Sequence, residues 1–541
     1  MPSTENRDQP LFKSKLGLIL TCLGSVVGTG NIWRYPRIVA NNSGNEGGLV
    51  FLILWALGLW VWSIPIKLVE FAMGRYTKKN VIASFKELVG PWAQWMGAWV
   101  ICVSLLIGGY YSVVLGWCFY YCIHSMAFPL PESYAESVER WEELNDTYYP
   151  LLCHTIGAVL AGFCIVRGVK TVEWANKILV PVLLLIVAFS LAWSLSLPYA
   201  YEGIVYLFSP DWDVLKTSQV WVDAVTQNAW DTGTAGGTMV AYATYMSHKD
   251  GVVSIGTFTP LANNFVSFCC GIMIFCNVFS ALELEGRSRQ YIVNVLKDNG
   301  PANTGLTFIW MPLLYKDITF GRGLATLFFL SLSFAGFSSL IGIFELQAVT
   351  LENMGLRRIP AAIIVTIVIF LLGLPSSLNL NILANQDASW GFGLIPSGLL
   401  FCTLVMYYGP NRFRRVLVNE FGTDDFKLRK IWNYFIAFIS PLIGVAIVIW
   451  WIANNISDDS RWYQLEETSL LLTLIQWIIL LILVLNINHI YQRFFGKSNL
   501  RADEDTIQDG SIEVGQPKSS QKEEYLATTR LLPKKEETSE L

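Results

Sequence analysis

Gly24-Ser25-Val26-Val27-Gly28-Thr29-Gly30-Asn31 places three glycines and several small polar residues in the middle of the first long apolar segment, residues 16–40. Glycine in a helix interior costs about 1 kcal/mol relative to alanine, and a backbone group left unpaired in hydrocarbon costs several times that. Such a break persists only if something else satisfies the freed amides and carbonyls. A second break, Asp231-Thr232-Gly233-Thr234-Ala235-Gly236-Gly237, lies five apolar segments later. Paired interruptions in matching positions of two halves are the pattern of a secondary transporter's binding site.

Composition places the breaks in a membrane. Of the 541 residues, 53% are hydrophobic and 15% charged, so most of the length must face lipid or other helices. Apolar runs long enough to span a bilayer predict an all-α polytopic protein of twelve transmembrane helices. They fall at 16–40, 48–73, 93–126, 150–167, 174–197, 219–246, 259–284, 322–352, 358–375, 387–409, 432–454 and 468–494. Lys13, Arg75, Lys78, Arg167, Lys170, Arg357, Arg412 and Lys427 flank alternate loops, which puts both termini in the cytoplasm of a plasma-membrane protein. The first dozen residues are polar and the first apolar run is too glycine-rich for a cleavable signal. Residues 1–15 read as a cytoplasmic segment. Residues 495–541, rich in Asp, Glu, Lys, Gln and Ser, read as a disordered cytoplasmic tail. Around Tyr134–Trp141 the outer loop has the composition of a short helix.

A helix broken at mid-membrane directs amides out of one half and carbonyls out of the other. The first set suits a carboxylate and the second a cation. Sodium, a hard ion, favours oxygen ligands. The four histidines, His124, His154, His248 and His489, are scattered near span ends as interface residues, not gathered as a metal cluster. No nucleotide loop, metal-ligand spacing or Ser/His/Asp set supports an enzyme, and no nucleic-acid partner is expected. The oligomeric state stays open.

Leu16-Gly17-Leu18-Ile19-Leu20, Gly28-Thr29-Gly30-Asn31-Ile32-Trp33-Arg34-Tyr35-Pro36, Glu70-Phe71-Ala72-Met73-Gly74-Arg75-Tyr76, Tyr110-Tyr111, Gln227 with its glycine-rich break, and Ala335-Gly336-Phe337-Ser338-Ser339 resemble the neurotransmitter:sodium symporter family. The resemblance runs in order from about residue 12 to residue 490. It implies a 5+5 inverted repeat with broken helices 1 and 6: residues 16–197 as the first repeat, 219–409 as the second, and 432–494 as two peripheral helices.

The resemblance also implies roles. One sodium is expected at the carbonyls of Gly24, Val27 and Ala335 and the hydroxyls of Ser338 and Ser339. A second is expected at the Val26 carbonyl, the side chains of Asn31 and Asn263, Asp231, and the substrate's own carboxylate. That carboxylate is expected at amides near Thr29 and Gly30 and at the Tyr111 hydroxyl. Ile107, Gly233, Gly236 and Ile343 form the pocket wall, with Trp230 and Tyr111 as its lid. Arg34 and Asp387 form an outer gate. Gln227 is expected to bridge Arg34 or a central ion, or to bond a neighbouring helix. Glu70 is expected to accept from amides freed by the second break, or else to pair locally with Lys67. For the inner gate, the matching positions are Gln9 and Asn353, with Arg7, Lys13 and Glu352 as nearby substitutes. Glu345 sits unusually deep for an acid, and a helix–helix hydrogen bond is its one evident use.

Two departures from the family bear on the substrate. Monoamine-carrying members have an aspartate where this chain has Gly28, so the substrate is expected to bring its own carboxylate. Gly233 and Gly236 stand where a leucine-selective member has larger side chains, which favours an apolar or aromatic amino acid. Asp231 replaces a hydroxyl residue that ligates chloride in chloride-dependent members, and Trp55 replaces a tyrosine of the same set. A fixed carboxylate there repels chloride and supplies its charge, so no chloride requirement is expected. Asp231 as a helix cap, or as the partner of an amine substrate, are the competing readings. A transport-inactive amino-acid sensor of the same fold would have this same sequence pattern.

Overall fold

The computed structural model describes residues 11–509 apart from 45, 299, 301–303, 317, 459–460 and 468. Regular structure among them is helical. The first helix, α1 (Lys15–Val26), starts where the Ser14 hydroxyl accepts the Gly17 N–H at 3.0 Å, satisfying one of the amides that a helix start leaves over. Val27 and Gly28 are extended, and α2 (Thr29–Asn41) resumes at 59° to α1. There follow α3 (Leu49–Thr77), α4 (Pro91–Ala127), α5 (Tyr134–Asn145), α6 (Tyr149–Ile165) and α7 (Val169–Leu195). The second break lies between α8 (Ser218–Asp231) and α9 (Thr238–Ala243). The remaining long helices are α10 (Val252–Leu284), α11 (Gly321–Asn353), α12 (Arg358–Leu378), α13 (Leu380–Tyr408), α14 (Ile431–Ser457) and α15 (Leu470–Asp509).

Among the described residues, nine of these helices are long and apolar enough to cross a bilayer, or up to eleven if each bent pair, α1/α2 and α5/α6, is one span. The remaining expected segment, 219–246, is α8 with α9, of 14 and 6 residues, neither of which spans alone. The outer-loop helix expected around Tyr134–Trp141 is α5, capped by Ser133. The polypeptide divides into units Met1–Leu485 and Asn486–Leu541. At the C-terminal end the expected boundary at 494 shifts, because α15 continues to Asp509: hydropathy reports where lipid contact ends, while a helix continues wherever its residues favour one. Residues 510–541, the greater part of the expected tail, lie outside the described residues.

Small residues let the helices around the breaks approach closely. α1 lies between α7 and α11. A side chain at Gly24 would stand 2.2 Å from the Asn176 amide oxygen, and one at Gly342 would stand 3.0 Å from Ser25 Cβ. α4 and α11 pack along each other, and α3 faces α8, α9 and α10. The breaks are thus held at the centre of the first unit.

Candidate functional site

The two breaks meet at a cavity of about 80 Å³. Gly30, Ile107, Tyr111, Trp230, Gly233, Gly236 and Ile343, all expected at the substrate, line it together with Val26, Asn31, Asp231 and Ser339 from the two expected sodium sets. Thr29 is not on its surface. The Thr29 N–H and hydroxyl both donate to the Tyr111 phenolic oxygen at 3.1 Å, so this amide is engaged by protein and is not presented to the cavity. Gly30 lies in the first turn of α2, where a helix leaves amides without intrahelical partners.

Trp230 forms the roof. Its ring lies so close over Gly30 that a Cβ there would come within 1.8 Å of it, meets Tyr111 edge-on at 6.3 Å, and carries the Arg34 guanidinium 5.0 Å from its centroid. Arg34 reaches Asp387 at 3.7 Å. An ion pair and an indole therefore close the cavity on one side, and both charges are partly shielded. Gly233 has φ +56°, with nothing within 4 Å of where a side chain would begin, whereas at Gly236 a Cβ would meet the Gly233 carbonyl at 3.3 Å.

The expected ion ligands fall into two groups. Ser339 donates to the Gly24 carbonyl at 3.3 Å and Ser338 to the Ala335 carbonyl at 3.0 Å. In the other group, Asn31 accepts the Gly28 N–H at 2.7 Å and donates to Asn263 Oδ1 at 2.8 Å and Ser267 Oγ at 2.7 Å. Ser267 in turn donates to Asp231 Oδ2 at 2.6 Å. Asp231 Oδ1 is buried and has no hydrogen-bond partner. A buried carboxylate oxygen without a donor is costly, and a hard cation among neutral oxygens is a chemical match for it. The donor sets therefore fit sodium. Asp231 does not cap α9: it is the last residue of α8, and α9 starts after Gly237, whose N–H goes to Glu70 Oε1 at 2.7 Å.

Glu70 combines its two expected uses, since it also pairs with Lys67 at 3.1 Å, both side chains being fully buried. Lys67 adds a bond to the Gly233 carbonyl at 2.8 Å. The pair thus serves both ends of the second break, the ammonium a freed carbonyl and the carboxylate a freed amide. Gln227 is buried with neither amide atom hydrogen-bonded, so the expected bridge to Arg34 is not made.

The profile described as the sodium:neurotransmitter symporter family matches residues 9–149 and 146–494. The chain belongs to this family of sodium-dependent transporters. An uncharacterized sodium-dependent transporter of Methanocaldococcus jannaschii is 27% identical over 84% of this chain and 92% of its own. The inactive sodium-dependent neutral amino acid transporter B(0)AT3 of Homo sapiens is 27% identical over 50% of this chain and 46% of its own. Among solved structures, MhsT in complex with L-phenylalanine matches with a TM-score of 0.68 and 25% identity, over 82% of this chain and 99% of that one. The chain is thus a multi-pass membrane protein with this symporter fold.

Among the described residues, the positions considered for an inner gate have the following partners. Glu352 is bound to Arg358 at 2.8 Å; Arg358 also pairs with the deep Glu345, whose other oxygen accepts the Tyr245 hydroxyl at 2.6 Å. Lys13 gives its backbone N–H to Glu173 at 3.0 Å, and Asn353 accepts the Asn80 N–H at 2.7 Å. Arg7 and Gln9 lie outside the described residues. His154 is a core residue and not an interface one: it is fully buried, with Nδ1 at 2.9 Å from Ser112 Oγ and Nε2 at 3.0 Å from the Phe370 carbonyl.

Ser25, Ser104, Thr238 and Leu394 also line the cavity and were not expected there. Ser104 was within reach of sequence reasoning, since it lies one helical turn before Ile107. Leu394 directly follows the interruption at Gly393 in α13 and is apolar, so no polar signal of its own marked it.

Proposed function

We propose that this chain takes up a neutral amino acid, apolar or aromatic, together with sodium at two sites, by alternating access and without chloride. One observation carries the reading. The cavity at the crossing of the breaks is lined by glycine, apolar side chains and oxygen-bearing groups, and its one acid, Asp231, sits on the Asn31–Ser267 side. Gly28 provides no carboxylate on the other side, so a substrate with its own carboxylate fits better than an amine. The L-phenylalanine complex of MhsT supports this substrate class. Chloride independence is supported by Ser267, whose hydroxyl is given to a carboxylate of the protein.

Sodium supplies positive charge that both Asp231 and a substrate carboxylate require. Because the substrate carboxylate is one of the expected ligands, binding of each strengthens the other, and the coupling is reciprocal. Trp230 and the Arg34–Asp387 pair gate the outer side and the Arg358–Glu345–Glu352–Tyr245 cluster the inner, with both termini in the cytoplasm of a plasma-membrane protein. The test is uptake into proteoliposomes of radiolabelled amino acids and amines, with sodium and chloride replaced separately. Saturable amino-acid uptake that needs sodium and ignores chloride is the expected result. Uptake of amines alone, binding without flux, or indifference to sodium overturns the reading.

A further inference from the structure

An unbroken chain of side-chain amides leads away from Asn31, and two of its members lie outside every role considered so far. Asn31 Nδ2 donates to Asn263 Oδ1 at 2.8 Å, Asn263 Nδ2 to Asn264 Oδ1 at 3.3 Å, and Asn264 Nδ2 to Asn228 Oδ1 at 3.0 Å. Asn228 Nδ2 ends the chain on the backbone carbonyls of Trp55 at 2.7 Å and Ala224 at 2.8 Å. At the opposite end, Asn31 Oδ1 accepts the Gly28 N–H at 2.7 Å. The chain joins α2, α10, α8 and α3, and all four asparagines are buried.

Its direction is determined at both ends. A carbonyl only accepts, so Asn228 must turn its NH₂ group toward Trp55 and Ala224 and its oxygen toward Asn264. A backbone N–H only donates, so Asn31 must turn its oxygen toward Gly28 and its NH₂ toward Asn263. The two amides between them inherit one orientation, because reversing either would set oxygen against oxygen or NH₂ against NH₂ in a buried site. Amide orientation is ordinarily assigned from such networks, and here both termini agree.

We propose that Asn264 and Asn228 are positioning residues which hold the Asn263 amide with its oxygen, and not its NH₂ group, toward the sodium ion expected beside Asn31. The inference rests on the sodium reading above. A neutral amide ligates a hard cation only through oxygen, and a buried amide free to rotate presents a repelling NH₂ for part of the time. Partners that orient metal ligands act in this way: their loss typically weakens metal affinity by about 10–100-fold although they touch no metal. Trp55 enters only through its backbone, so the chain does not depend on which side chain occupies that position.

The test uses full-length purified protein without amino acid, reading sodium affinity from the sodium-dependent rise in unfolding temperature and from direct binding of radioactive sodium. Asn264→Leu and Asn228→Leu/Asn264→Leu keep side-chain volume and remove the relay, the double variant also removing both members of one hydrogen bond, which is the gentler change for stability. Asn228→Ser is a milder interruption at the far end. Expected is a rise in half-saturating sodium of about tenfold or more in the leucine variants, a smaller rise in Asn228→Ser, and little change in the unfolding temperature of the double variant without sodium. Sodium affinity within twofold of wild type in a folded leucine variant overturns the inference and leaves the sodium reading intact. Failure of all three variants to fold assigns the chain a purely structural role and equally overturns it. A wild-type protein that shows no sodium response removes the sodium reading, and the inference with it.

Discussion

Asp231 and Gly236 are the residues whose replacement separates the parts of the proposed function. The Asp231 carboxylate, with one oxygen on Ser267 and the other unpartnered, supplies a negative charge near the expected sodium. Two unit charges 4 Å apart interact by about 1–4 kcal/mol between water and a protein surface, so Asp231→Ser is expected to lower uptake in chloride-free buffer by about tenfold or more. Added chloride should restore part of that loss, and a recovery indifferent to halide would count against charge replacement. Asn31→Ala is expected to weaken sodium and substrate binding together, because its side chain stands between Gly28, Asn263 and Ser267; isothermal titration showing loss of only one would break the shared shell. At Gly236 a methyl group meets the Gly233 carbonyl at 3.3 Å and Ser104 Oγ at 3.4 Å and takes up cavity space. One methylene in an apolar pocket is worth about 1–3 kcal/mol of discrimination, so Gly236→Ala should raise KM for an aromatic amino acid by about tenfold while sparing a small one in a competition series.

At the scale of elements, α3 holds the α8/α9 break together through Lys67 and Glu70. Both charges are fully buried, and removing one partner of such a pair typically costs about 3–5 kcal/mol, whereas replacing both leaves no uncompensated charge. Lys67→Met is therefore expected to lower the unfolding temperature far more than Lys67→Met/Glu70→Gln, as read by thermal denaturation in detergent. Equal losses would show that the pair's charge balance is unimportant. Arg358 ties the start of α12 to Glu345 and Glu352 of α11, and Glu345 holds Tyr245 just after α9. Arg358→Ala leaves Glu345 buried without a cation, which favours states in which water reaches it. Labelling of single cysteines introduced next to this cluster should rise in this variant and fall again with saturating sodium.

For the whole molecule, a ligand that binds only the folded state stabilises it by about 2.7 kcal/mol at one hundred times its dissociation constant. Sodium and amino acid added together are expected to raise the unfolding temperature by more than the sum of their separate effects, while swapping chloride for gluconate leaves it unchanged. Much of this architecture was legible in the chain. Hydropathy runs mark where backbone must be helical because lipid offers it no partners, and glycine-rich interruptions inside those runs mark where helix hydrogen bonding is given up. Those local rules placed both breaks; the cavity wall and the Arg34–Asp387 pair came from the resemblance to the symporter family. The local rules do not report how side chains from distant segments divide hydrogen bonds among themselves. Thr29 lost its amide to Tyr111, Glu352 went to Arg358, Gln227 was left without a partner, and Asn228 and Asn264 joined the sodium set to α3. Each outcome is a competition among several donors for one acceptor, or the reverse, decided by distances of a few ångström between segments far apart in sequence. The linear pattern thus determined where the helices run and where they break, since both follow from each residue's preference for lipid or helix; which groups answer the breaks was settled only when the helices packed.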